Sequence, residues 1–148
     1  GTVCAVPFTV PHDAREPLQL RCTDGASHLG LLTDLGHASP HVLQQLQGCH
    51  ALLLEANHDP DMLAASGYPA FLKRRIAGVH GHLANHDAAG ILAAVRHTGL
   101  NRVVAAHLSA QNNQPRLAQQ ALAHALGWPA DAVDIASATA GTDWINVV

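Results

Sequence analysis

The sequence predicts an α/β fold in which helices cover a sheet, and three observations carry that reading. Short apolar runs alternate with longer stretches of helical periodicity, and polar residues close the runs. The composition is that of an ordinary globular chain, 48% hydrophobic and 13% charged. At 148 residues there is material for one domain and too little for two.

Val3–Val10 reads as a strand ended by Pro11, and Leu29–Leu32 as a short buried strand ended by Thr33-Asp34. Ser39-Pro40 is a helix start, with Val42, Leu43 and Leu46 on one face and Gly48 as the stop. Ala51–Glu55 is another buried strand. Pro60 opens a short helix. Tyr68–Ala77 reads as a further helix, with Phe71, Leu72 and Ile76 inward and Lys73, Arg74 and Arg75 outward. Asn85 is positioned to cap a helix running to about His97, and Gly99 marks its end. Arg102–Ala106 reads as a strand and Pro115–Leu126 as a helix closed by Gly127. Ala132–Ala136 and Trp144–Val148 complete the set as two terminal strands.

Composition excludes several functions. A formal net charge of −3 argues against a broad basic surface that grips nucleic acid by charge alone. No apolar run reaches the roughly 18 residues needed to span a bilayer. Cys4, Cys22 and Cys49 form no CxxC pair and are odd in number, which fits a reducing compartment, and the cytoplasm is expected. The chain starts at Gly1 and runs at once into a strand, so an internal boundary of a longer protein is expected.

Histidine is the outlier: twelve His stand against eight Lys and Arg. Imidazole is the commonest metal ligand and a general acid or base. Four polar sites follow apolar runs: His12-Asp13, Thr33-Asp34-Leu35-Gly36, Glu55-Ala56-Asn57-His58-Asp59 and His107-Leu108-Ser109. A side chain just past a buried strand is held rigidly at the sheet edge, where layered folds assemble their sites. A fifth cluster, His80 to Asp87, looks like an HxHxDH metal motif with the wrong spacing. It reads as one functional histidine among decoys.

Six segments then resemble a known family. They are Pro11-His12-Asp13-Ala14 with Glu16-Pro17; Thr33-Asp34-Leu35-Gly36; Leu54-Glu55-Ala56-Asn57-His58-Asp59; Tyr68-Pro69 with Leu72-Lys73-Arg74-Arg75-Ile76; Gly81-His82-Leu83-Ala84-Asn85 with Ala88-Ala89; and Ala106-His107-Leu108-Ser109 with Asn112-Asn113. In order and spacing, from about His12 to Pro115, they resemble the second half of the YycJ/WalJ-type metallo-β-lactamase-fold proteins. More distantly, the His-Asp-His-His order is similar to ribonuclease Z. The resemblance implies half of an αββα sandwich. Residues 1–148 would then be the C-terminal portion of one domain, with its HxHxDH loop upstream.

The same resemblance implies a set of roles. His12 and His107 would be metal ligands and Asp34 the carboxylate bridging two divalent ions, Zn or Mn. His82 would be a catalytic non-ligand that stabilises or protonates the reacting phosphate. The implied activity is metal-dependent hydrolysis of nucleic-acid phosphodiesters by a hydroxide shared between the ions. Two other functions fit the same residues. One is a metallohydrolase of a small phosphodiester or thioester, favoured by the acidic net charge; the Lys73-Arg74-Arg75 run favours a phosphate polymer instead. The other is a non-catalytic metal-binding domain, which an upstream HxHxDH motif would argue against.

Overall fold

The computed structural model describes residues 1–147. Its strands are β1 (Cys4–Thr9), β2 (Leu18–Thr23), β3 (His28–Leu32), β4 (Ala51–Glu55), β5 (Arg102–Ala106) and β6 (Val133–Ile135). They lie in one sheet in sequence order. The first two pairings are antiparallel and the next three parallel. Each parallel pair needs a crossover, and helices supply it. Helix α1 (Pro40–Leu46) links β3 to β4. Helices α2 (Pro60–Ala65), α3 (Ala70–Ile76) and α4 (Asn85–Val95) lie between β4 and β5, and α5 (Pro115–Leu126) joins β5 to β6.

The helices start where their caps dictate. Ser39 Oγ accepts a hydrogen bond from Val42 N–H at 3.2 Å, and Asp59 Oδ1 accepts one from Met62 N–H at 2.9 Å. Each such cap contributes about 1 kcal/mol. Alternation along the strands then divides the sheet into two faces. On one face Leu32, Leu52, Leu54, Val103 and Ala105 pack against Val42 and Leu46 of α1, Ile91 and Leu92 of α4, and Leu122 of α5. A leucine buried this way contributes roughly 1.5–3 kcal/mol. On the other face Leu20, Leu31, Leu53 and Val104 are registered side by side. No helix covers them. Residues 142–147 run against part of this face and leave a cavity of about 340 Å³ between segment and sheet. Among the described residues no helix is long and apolar enough to cross a membrane.

Several expectations are corrected. Strand β2 was not expected, because only two leucines alternate with polar residues there and both point to the bare face, Leu18 and Leu20 being exposed. Phe71 is 66% exposed rather than inward, since α3 packs over a loop at the sheet edge and not over the core. Residues 144–147 form no strand and Trp144 is fully exposed; beyond the bridge between Ser137 and Gly141 the segment has no neighbouring strand to pair with. Val148, the end of that expected strand, lies outside the described residues. Asn85 is the first residue of α4 rather than its cap, and its side chain is spent elsewhere.

Candidate metal centre

Two antiparallel reversals make β1 run in the direction of β3, β4 and β5, so the C-terminal ends of all four strands share one edge of the sheet. His12 follows β1, Asp34 follows β3, Glu55 ends β4 and His107 follows β5. Asp34 and His107 are the only non-glycine residues with positive φ among the described residues, both at 55°. L-residues enter this left-handed region at a cost, and it recurs where the surrounding structure forces a functional side chain into place.

Hydrogen bonds stitch the loops that carry these residues. Gly36 N–H donates to Pro11 C=O at 2.9 Å, and Asp13 N–H to His80 C=O at 3.0 Å. Asn57 N–H donates to Leu83 C=O and Ser109 N–H to Asn57 C=O. Gly81 packs so tightly that a Cβ there would lie 2.2 Å from the carbonyl oxygens of Arg75 and Ile76. Only glycine lets the chain carrying His82 approach α3 so closely. Asn57 Nδ2 donates to the carbonyl of His107 at 2.9 Å, pinning the residue in its left-handed conformation. The buried amides of Asn85 and Asn113 bond to each other twice, at 2.9 Å each way, and Asn113 also donates to Ala56 C=O. One amide pair thus ties together the segments after His82, after Glu55 and before α5.

The side chains converge. Asp34 Oδ1 lies 4.0 Å from His12 Nε2, 4.0 Å from His82 Nδ1 and 3.7 Å from His107 Nδ1. The ring of His82 is 5.2 Å from that of His12 and 5.2 Å from that of His107. His12, Asp34, His82 and His107, all singled out in the sequence, are therefore brought together. His80 and His86 are not: both are exposed, and His86 turns to Asp87 at 3.3 Å. Arg75 meets Asp13 at 2.6 Å beside the centre, and that hydrogen bond holds the Asp13 carboxyl below its ordinary range. Arg74 is exposed, and Lys73 caps the C=O of Ala64.

Glu55 is the residue to which the sequence reading gave no role. Fully buried, its Oε1 accepts from His82 Nδ1 at 2.7 Å and from His107 Nδ1 at 3.0 Å, while Oε2 accepts from Leu35 N–H at 3.2 Å. Burial opposes its charge, but the hydrogen bonds from His107 and His82 prevail and hold the carboxyl below its ordinary value. The bond to Glu55, against the opposing effect of burial, raises the pKa of His107.

This pattern fits a metal ion. The third histidine, His12, gives its Nδ1–H to the carbonyl of Gly81 at 3.1 Å. A carbonyl or carboxylate oxygen only accepts, so each of the three rings carries its proton on Nδ1 and keeps Nε2 for another partner. Metal-binding histidines are held in this way, with the non-ligating N–H given to a carboxylate or carbonyl. Two overlapping groups bring their donor atoms together, His12-Asp34-His82 and Glu55-His82-His107; in the second, Glu55 Oε1 already accepts both Nδ1–H groups, so it supports the rings rather than an ion. Nitrogen and carboxylate donors in combination suit zinc and manganese.

The solved structures share this architecture. The metallo-β-lactamase fold protein YhfI from Bacillus subtilis superposes with a TM-score of 0.66 at 14% identity, over 93% of this chain and 48% of that one. The chain shares the fold of about half of this metallo-β-lactamase fold protein. Zn(2+)-bound PqqB from Methylobacterium extorquens also superposes, with a TM-score of 0.55 at 16% identity, over 90% of this chain and 44% of that one. In sequence, the chain is 36% identical over 126 residues to exodeoxyribonuclease YycJ of Bacillus anthracis, covering 85% of this chain and 48% of the relative. It is 32% identical to exodeoxyribonuclease WalJ of Streptococcus pneumoniae, covering 85% of this chain and 47% of the relative. The sequence relatives are thus YycJ/WalJ proteins, as the six segments implied, and the chain spans about half their length. No family model matches the chain.

Proposed function

We propose that this chain is the C-terminal portion of a metallo-β-lactamase domain that hydrolyses DNA from its ends with two divalent ions, zinc or manganese. His12, Asp34 and His107 are the ligands contributed by this portion. The observation that carries the reading is Asp34 Oδ1 within 4.0 Å of three imidazoles whose Nδ1 atoms are already committed to other acceptors. The kinship with proteins named exodeoxyribonucleases supports the substrate. Two ions with about four ligands each need more donors than these, so the remaining portion of the domain supplies the others. The helix-free face of Leu20, Leu31, Leu53 and Val104 is where its sheet packs. Three free cysteines agree with the cytoplasm as the compartment.

Bound there, divalent ions supply Lewis acidity toward a phosphate oxygen and acidify water. The chain's own residues do the rest. Asp34 and the Nε2 atoms of His12 and His107 fix where charge accumulates. His82, its Nδ1–H given to Glu55, donates from Nε2 to the phosphate only in the form that carries a second proton there. Buried Glu55 accepts the Nδ1–H of that ring and sets its orientation.

The test uses the full protein that contains this chain. Metal-loaded protein is expected to degrade single-stranded DNA far faster than a chromogenic phosphodiester, and to stop when the metal is chelated. His82→Ala is expected to lower turnover with metal content unchanged. A parallel loss of metal would move His82 into the ligand set, and preference for the small ester would replace DNA as the substrate.

A further inference from the structure

A groove of about 540 Å³ opens beside His107, bounded by Thr33, Leu108, Ser109, Ile135, Ala136 and Ser137. His107 is the only ionisable group among its walls. A second cavity, of about 240 Å³, meets the centre at His82 and carries Arg75 together with Asp13, its ion-pair partner. The two cavities share no lining residue, so the centre has two separate flanks, one holding the Arg75–Asp13 pair and one walled by aliphatic and hydroxyl side chains beside His107. A phosphate needs cations or converging N–H donors. The groove has no Lys or Arg among its walls, and its histidine is the one read above as a metal ligand, so it suits the strand's backbone poorly.

The groove does match a heteroaromatic group. Its volume falls within the range of ligand pockets, about 300–1,000 Å³. Leu108, Ile135 and Ala136 offer aliphatic surface to a flat ring. Ser109 Oγ accepts from Asn112 N–H at 3.1 Å, which leaves its own proton to donate to a ring carbonyl or nitrogen. Thr33 and His107, at the inner end, adjoin the carboxylate that would face the reacting phosphate: Thr33 Oγ1 donates to Asp34 Oδ2 at 2.9 Å.

We propose that this groove binds the nucleobase of the end nucleotide being released, while the phosphates of the remaining strand pass Arg75 on the opposite flank. The proposal rests on the nuclease reading and adds a subsite that makes the enzyme sense a base. It predicts that the rate depends on a group that takes no part in bond breaking.

The experiment uses the full metal-loaded protein and two single strands, alike except that one ends in an abasic tetrahydrofuran nucleotide. The base-bearing end is expected to be removed with a kcat/KM at least about tenfold higher. Ala136→Trp, which fills the groove, should erase that preference while leaving the abasic rate unchanged. Should the tryptophan variant lose activity on both strands, Ser109→Ala removes the hydroxyl without adding bulk and should slow the base-bearing strand alone. Equal rates on the two ends in the unaltered protein overturn the subsite, and so does a preference that survives both substitutions. Hydrolysis of neither strand would instead refute the nuclease reading, and the subsite with it.

Discussion

The two edges of the sheet each hold three neighbouring histidines, yet only one edge has the makings of a metal site. At the C-terminal edge His12, His82 and His107 have ring centroids 5.2 Å apart along the row. At the other edge His28, the first residue of β3, stacks on His50 at 5.8 Å, and His50 meets His97 at 6.4 Å. The difference lies in where the nitrogens go. His50 Nδ1 accepts from His28 N–H at 3.0 Å. His97 Nδ1 accepts from Gly99 N–H at 3.1 Å while its Nε2 donates to Cys49 C=O at 2.9 Å. That ring has nothing left to give, and no metal-capable group forms there among the described residues. At the C-terminal edge each ring spends Nδ1 on an acceptor and keeps Nε2, and all three rings lie within 4.0 Å of the Asp34 carboxylate, His12 through Nε2 and the other two through Nδ1. Histidine content therefore does not mark a site; rings that keep one nitrogen free and gather around a carboxylate do.

Substitutions at the two edges should separate sharply. Asp34→Ala removes the carboxylate on which three imidazoles converge, and a loss of bound metal and of turnover by more than about 100-fold is expected, by metal analysis and steady-state kinetics. Glu55→Gln keeps the shape but removes the charge that orients His82 and His107; metal affinity or turnover should fall about 10–100-fold. His97→Ala, at the far edge, should cost about 1 kcal/mol in denaturant unfolding through two lost hydrogen bonds and leave both metal content and turnover unaltered.

The smallest effect concerns pH. Burial lowers the pKa of His58, which is 2% exposed, against the opposing charges of Asp87 and Glu55. The folded protein therefore binds that proton less readily than the unfolded chain. Stability is fully present above the unfolded histidine value near 6.5 and declines as pH falls below it toward the folded value. His58→Gln should remove that part of the acid-side slope in unfolding measured from pH 8 to 5. An unchanged slope would show that His58 takes no part in it.

Much of this contrast could be read from the sequence, because the residues in question close apolar runs. His12, Asp34 and His107 each follow a strand of Val, Leu or Ala, and strand direction then brings them to one edge. Glu55 escaped although it ends the run Ala51-Leu52-Leu53-Leu54. It stood at the head of one of the four strand-end sites but was given no role there, and only the fold shows it sealed beneath two histidines. The signal was available: four apolar residues in a row bury what immediately follows them. Strand β2, which was missed, and residues 144–147, which were expected to be a strand and are not, went wrong for another reason. Their apolar side chains lie on or near a face that no helix covers, so their pattern reflects packing outside the helix-covered core.

The central claim is that metal binds at the Asp34 edge and not at the His97 edge. Crystals of the full protein soaked with zinc, with anomalous diffraction recorded at the zinc absorption edge, locate the ion directly. The account predicts anomalous peaks about 2.0–2.2 Å from Nε2 of His12 and of His107 and from the Asp34 carboxylate. A peak among His28, His50 and His97, or none near Asp34, would contradict it.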